Sequence, residues 1–193
     1  DTLELKARAM QIADALEATL PAGFEAGVAI LEATLAPVAV EAELGSLRAG
    51  PDGLAGWALW PLGEWVARRG LDDPHRALQA LHALTQRFTA EWAIRPLLLR
   101  HPDTVFATLR RWCDDPSPHV RRLVSEGSRP RLPWGLQLRP LIADPTPTLP
   151  LLAALQDDPS PYVRRSVANH LNDIAKDHPA VVADWLQHHL PEA

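Results

Sequence analysis

The apolar residues of this chain recur at three- and four-residue spacing, in runs that are short. Residues 2–20 put Leu3, Leu5, Ala9, Ile12, Leu16 and Leu20 near one helical face, with Thr2 to cap the start and Pro21 to stop it. Residues 24–44 read as one or two helices broken at Pro37, and 49–56 as a loop by its Gly and Pro content. A Trp-rich helix follows over 57–70 and ends at Gly70, and 72–88 carries Ala77, Leu78, Leu81 and Leu84 on one side. Beyond it the pattern predicts helices near 89–100, 102–113, 117–128, 135–143, 147–156, 160–177 and 179–190, each bounded by Pro, Gly or an Asp-Pro turn. Strand-like alternation of Val and Ile is scarce, so the expected class is all-α.

One motif occurs twice. DDPSPHVRR begins at Asp114 and DDPSPYVRR at Asp157, 43 residues later. That period, built from two helices, lies in the range of HEAT-type repeats, which stack into a solenoid with a concave face. An earlier Asp-Asp-Pro at 72–74 echoes it, but the residues that follow do not keep the pattern. In both copies Ser-Pro opens a helix, with Ser117 and Ser160 as natural N-caps and Pro118 and Pro161 at the first helical position. Val120, Leu123 and Val124 form the packing face of one copy, and Val163, Val167, Leu171 and Ile174 that of the other. Residues 1–193 thus read as one HEAT-like repeat domain, with N-terminal helices over 1–56 and motif-bearing repeats over 57–193.

The opposite face carries the chemistry. Arg122 and Glu126 are i, i+4; Arg165, Asn169 and Asp173 continue that spacing on the second copy, with Lys176 close by. Equivalent positions of a solenoid line one surface, so Arg121–Arg122 and Arg164–Arg165 make a ladder able to follow a phosphate backbone. The same arginines can instead bridge to Asp114–Asp115 and Asp157–Asp158 and knit adjacent repeats, or one arginine of each pair can do each job. Between the copies, EGSRPRLPWG (126–135) sets Trp134 in an inter-helix loop. An indole beside carboxylates suits a flat cationic ligand; it can equally plug a core.

Composition adjusts this picture in two places. A net charge of −5 and a pI of about 5.9 argue at face value against a nucleic-acid partner. The average hides an asymmetry: residues 1–60 hold nine acids and three bases, whereas 95–139 hold nine arginines against four acids. Arginine is the side chain for forked phosphate contacts. The single cysteine, Cys113, excludes an internal disulfide, fits a cytoplasmic protein and reads as packing rather than as a nucleophile. No apolar run reaches membrane-spanning length and no signal peptide is visible. A metal hydrolase built from His170, Asp173, Asp177, His178, His188 and His189 lacks a tight ligand pair such as HExxH, which leaves His170 as a helix-packing or phosphate-contact residue.

SEGSRPRLPW and SVANHLNDIAKDHP, preceded by LHALTQRFTAEWAIRP at 81–96, resemble the HEAT-repeat DNA alkylation repair glycosylases of the AlkC type over about residues 57–190. The resemblance implies a bacterial, monofunctional, monomeric enzyme that hydrolyses the N-glycosidic bond of cationic methylated bases in double-stranded DNA, chiefly 3-methyladenine and also 3-methylcytosine. No metal, small-molecule cofactor or membrane is implied. The family's site residues fall on Glu91, Glu126, Trp134 and Asp173; Trp92 stands where another aromatic, usually Phe, is expected. Arg121, Arg122, Arg129, Arg131, Arg164, Arg165, Asn169, His170 and Lys176 are the expected DNA-facing set, of which Arg122, Arg129 and Arg165 would contact flanking phosphates and anchor the carboxylates. Some members carry a C-terminal immunoglobulin-like domain, which a sequence ending at Ala193 does not include. The other reading is a catalytically inactive HEAT module that binds damaged or branched DNA or a protein.

Overall fold

In a computed structural model, which describes residues 3–38 and 46–189, the regular structure of the described residues is eleven α-helices with short 3-10 turns and two isolated β-bridges. The chain forms two compact units, Asp1–Thr108 and Leu109–Ala193.

The first unit holds α1 (Leu5–Thr19), α2 (Phe24–Ala33), α3 (Trp60–Arg69), α4 (Pro74–Thr85), α5 (Ile94–Arg100) and most of α6 (Pro102–Trp112). Its core gathers on α3 to α5, where Trp65, Leu78, Leu81, Ile94 and Leu97 are buried and Trp65 stacks on Phe24 at 5.7 Å. Trp60 and Trp92 stack at 4.4 Å, so the second indole extends an aromatic cluster that also takes in Trp57 and Phe88. The four apolar positions read for 72–88 are all buried in α4. In α1 the packing face differs from the expected one: Ala9 and Ala13 are buried, while Leu5 and Ile12 face outward. Small side chains let α1 lie close against α3, and Arg68 of α3 then reaches Asp14 at 2.6 Å. Arg76 of α4 forks onto Glu32 at 2.6 and 2.9 Å and reaches Glu25 at 2.7 Å. The acidic surplus of the N-terminal segment is thus partly answered inside its own unit.

The second unit contains α7 (Pro118–Gly127), α8 (Arg139–Ala143), α9 (Leu149–Leu155), α10 (Pro161–Ala175) and α11 (Pro179–His189). Helices α7 and α10 begin at equivalent positions of the repeat and pack on each other through Val120, Leu123, Val124, Val163, Val167 and Ile174, all buried.

The repeated turn works differently from the expected Ser cap. Ser117 and Ser160 occupy the N-cap positions, but their hydroxyls make no cap bond. Asp115 Oδ1 accepts from the Ser117 backbone N–H at 2.8 Å, and Asp158 Oδ1 from that of Ser160 at 2.8 Å. The aspartate two residues upstream closes an Asx turn ahead of the helix. Arg121 folds back to donate to the carbonyls of Asp115 and Pro116 at 2.7 and 3.1 Å, and Arg164 does the same to those of Asp158 and Pro159.

Other helix limits move inward. The helix read over 89–100 begins only at Ile94, because Thr89 and Glu91 bond to each other in a turn. The one read over 135–143 begins at Arg139, after a loop. The helix read over 24–44 stops at Ala33, and Leu35 bridges to Leu54; Thr2 and residues 39–45 lie outside the described residues.

Candidate active site

Helix α7 delivers Glu126 on its last turn, and α10 delivers Ser166, His170 and Asp173 on the side that packs against α7. The i, i+4 spacing that put Arg122 above Glu126 in the sequence holds, with Arg122 Nη2 3.7 Å from Glu126 Oε1. The guanidinium of Arg122 also lies over the Tyr162 ring, 5.0 Å from its centre. Neither carboxylate faces open water: Glu126 is 5% and Asp173 2% exposed.

What brings the two acids together is Arg129. Its Nε donates to Asp173 Oδ2 at 2.8 Å and its Nη1 to Glu126 Oε1 at 2.6 Å. Burial works against the charge of this guanidinium, but the hydrogen bond to Asp173 and the field of Glu126 outweigh it, so Arg129 is held more firmly protonated than a free arginine. The remaining oxygens are also taken. Ser166 donates its hydroxyl to Glu126 Oε2 at 2.6 Å, and Lys176 donates to Asp173 Oδ1 at 2.9 Å. Two buried carboxylates are therefore fixed in orientation by a shared guanidinium, which a lone buried acid would not tolerate.

His170 is fully buried one turn before Asp173, which makes it the packing residue rather than a phosphate contact. A neutral imidazole donates from Nδ1 to the Ser125 carbonyl at 3.0 Å. Burial pushes its pKa down to about 4, against smaller opposing effects from the Ser125 bond and Asp173.

Trp134 is 65% exposed, which excludes the core plug, and it has φ of 61°, in the left-handed region that a Trp rarely enters. It stands in the loop between α7 and α8, which is closed by bonds from Leu138 N–H to the Pro130 carbonyl at 3.1 Å and from Gly135 N–H to that of Leu132 at 3.2 Å. Arg131, on the same loop, forks onto Asp177 at 2.8 and 2.9 Å.

The arginines of the two pairs differ in what they touch. Arg121 is spoken for by the turn and by Asp158, and Arg164 bonds its own turn, while Arg165 and Asn169 are exposed on α10. Glu91 belongs to the first unit, 6% exposed, with Thr89 Oγ1 donating to its Oε2 at 2.5 Å. Residues of the metal reading are dispersed: His178 meets the Ile142 carbonyl at 2.7 Å, Asp177 pairs with Arg131, and His188 and His189 meet carbonyls of their own helix. Among the described residues no three His, Cys, Asp or Glu side chains converge as metal ligands. Burial and Asp114 push the Cys113 thiol up to about 11, and its Sγ points at the Leu109 carbonyl, as a packing cysteine does. No described helix is long and apolar enough to cross a membrane.

The same fold and much of the same sequence occur in the alkylpurine DNA glycosylase AlkC of Pseudomonas fluorescens, solved bound to DNA containing an abasic site analogue. The two are 37% identical with a TM-score of 0.82, over 96% of this chain and 48% of that one. The chain has the helical-repeat fold of AlkC. It is also 41% identical to the uncharacterized protein YhaZ of Bacillus subtilis (strain 168) over 177 residues, which are 92% of this chain and 45% of that protein. The chain thus spans about half the length of the AlkC and YhaZ chains it matches. No protein-family model matches it.

Arg129 anchors both carboxylates as expected, whereas the Ser166 contact escaped sequence reasoning. Arg129 bridges acids that lie 3 residues before and 44 after it, and Ser166 meets Glu126 from 40 residues away. The first left a trace: Arg129 and Arg131 are two apart, and Asp173 and Asp177 are one helical turn apart, so two forks can run side by side.

Proposed function

We propose that this chain forms the catalytic part of a monofunctional DNA glycosylase that releases cationic alkylated bases, 3-methyladenine and also 3-methylcytosine, from double-stranded DNA. The observation that carries the reading is the buried Glu126–Arg129–Asp173 bridge, in a chain similar to a glycosylase solved on DNA with an abasic site analogue. A methylated base is already a cation, so it leaves as a neutral molecule with the bonding electrons of C1′–N and needs little acid assistance. Positive charge then grows on the deoxyribose ring, as in other glycoside hydrolyses. A carboxylate beside that ring stabilises the charge. Water adds its oxygen to C1′ and yields a proton to the carboxylate.

Asp173 suits the role of water base. Its Oδ1 is held by Lys176, whose side chain is 59% exposed. An exposed i, i+3 lysine contributes little, about 0.5 kcal/mol, so displacing it by substrate is cheap. Arg129 keeps the other oxygen in place throughout. Glu126, whose oxygens are taken by Arg129 and Ser166, supplies a second negative charge. Trp134 offers an exposed indole face to the cationic base or its sugar. Arg122 and Arg165 are the proposed phosphate contacts, with Asn169 beside Arg165. Glu91 has a role of its own in the first unit, tested by Glu91→Gln.

One observation favours a second reading. All four oxygens of Glu126 and Asp173 already have donors. On that view the pair is a structural network, and the unit binds damaged or branched DNA, or a protein, without cleaving anything.

The deciding experiment is chromatography of free base released from methylated duplex DNA by wild type, Glu126→Gln and Asp173→Asn. Under the glycosylase reading wild type releases 3-methyladenine, and each variant loses at least about a hundredfold in rate with DNA affinity within about threefold, the scale of a general-base or charge-stabilising group. Binding by wild type without release leaves the second reading.

A further inference from the structure

Arg131 and Asp177 form a charged pair beside the proposed site that the proposed chemistry does not use. We infer that they are positioning residues, which hold the Trp134 loop in place against α10, and that Arg131 is not a phosphate contact. This rests on the reading above only in giving Trp134 something to touch.

The geometry supports it on three counts. Arg131 presents Nε and Nη2 to the two oxygens of one carboxylate, at 2.8 and 2.9 Å, which is the fork geometry that fixes direction as well as distance. The hydrogen bond to Arg131 is the main reason the Asp177 carboxyl is held below its ordinary range. Arg129, on the other side of Pro130, makes a parallel contact with Asp173, one helical turn back along α10. Between them Pro130 accepts from Leu138 N–H, so both ends of the loop meet where the arginines are seated.

The loop needs such seating. Trp134 at φ 61° is a conformation that an unrestrained Trp leaves. Arg129 and Arg131 supply that restraint from the base of the loop. Nε and Nη2 are committed to Asp177, and the ion pair already matches the charge that a phosphate would meet.

The test uses Arg131→Asp, Asp177→Arg and the double variant that exchanges the two charges. Amide hydrogen exchange is followed at Gly135 and Leu138, whose N–H groups bond within the loop, and base release and the salt dependence of DNA binding are measured alongside. Each single variant should speed exchange at those amides by roughly fivefold, the size of a well-oriented partly exposed ion pair, and should lower kcat without changing the salt slope. The charge-exchanged variant should restore both. Exchange unchanged in the single variants overturns the inference. So does an Arg131→Asp effect confined to DNA affinity and salt slope with no rescue by Asp177→Arg. Should wild type release no base, the glycosylase reading falls, while the exchange result still decides the seating of the loop.

Discussion

Arg121 donates from Nε to Asp158 Oδ2 at 2.6 Å and from Nη2 to Oδ1 at 3.0 Å, joining the first copy of the repeated turn to the second. The same Asp158 Oδ1 also accepts from Ser160 N–H and so starts α10. One aspartate therefore ends one repeat's arginine fork and begins the next repeat's helix. That is why Asp-Pro-Ser-Pro and Arg-Arg recur together at a fixed distance.

Replacement of this aspartate tests the account. Asp158 is 6% exposed, so Asp158→Ala leaves the Arg121 charge without its partner and the turn ahead of α10 without its hydrogen bond. Loss of a buried partner costs about 3 kcal/mol and of the turn bond about 1 kcal/mol. Urea denaturation should show a fall of about 3–4 kcal/mol, with Asp157→Ala, at a position outside the fork, within about 0.5 kcal/mol of wild type. Equal effects of the two changes would remove Asp158 from this role.

The two arginines of each pair should separate in DNA binding. Arg165 is exposed on α10, whereas Arg121 is engaged by Asp158 and by its own turn. Arg165→Ala should weaken binding to any duplex and reduce the slope of log affinity against log salt by about 0.9, the value for one phosphate neutralised. Arg121→Ala should lower stability and leave that slope alone. A slope change from Arg121 rather than from Arg165 would reverse the assignment.

The sequence disclosed what rests on local order. Repetition of the turn at a 43-residue period predicted stacked helices, and α7 and α10 start at equivalent residues of that period. Spacing also put Glu126 one turn after Arg122 and Asp173 one turn after Asn169 on the polar face, and the resemblance to the AlkC type marked both as site residues. The sequence misled where amphipathicity and contact part company. In α1 the leucines mark the most apolar stripe, yet Ala9 and Ala13 are buried against the core, because close helix approach favours small side chains. The Ser-Pro pair suggested a hydroxyl cap onto an N–H inside the helix; instead the aspartate two residues earlier accepts from the serine's own N–H and closes the turn ahead of the helix. The Ser166 bond to Glu126 was out of reach, because a contact across 40 residues has no periodicity to announce it.

His170 gives the protein a pH dependence whose direction is fixed. Its folded pKa of about 4 lies below the ordinary 6.5. Between those values the unfolded chain binds a proton that the folded one does not, so stability falls as pH drops from 6.5 toward 4 and is fully present above 6.5. The full effect is about 3 kcal/mol, an order-of-magnitude figure for a wholly buried ring. Arg129, Glu126 and Asp173 are the charges that influence it. His170→Asn keeps a donor near the Ser125 carbonyl and carries no titrating group. Denaturation midpoints measured from pH 7 to 4.5 should therefore fall less steeply in the variant. An identical slope in both proteins would mean that another group carries the acid sensitivity.

Trp134 should show stability and activity moving apart. Its backbone sits at φ 61°, which costs a residue with a bulky Cβ substituent about 1 kcal/mol, whereas asparagine occupies that region readily. With 65% of the residue exposed, little buried apolar area is lost when the indole goes. Trp134→Asn should thus leave the fold unchanged in stability or raise it by up to about 1 kcal/mol. If the indole faces the cationic base or its sugar, the same change should lower the rate of base release by at least about tenfold, corresponding to about 1.4 kcal/mol of lost contact in the transition state. Trp134→Phe, which retains a ring, should recover part of the rate. Loss of stability together with loss of rate would make Trp134 a packing residue after all. A stable Asn variant with full activity would leave the strained position without a role in catalysis.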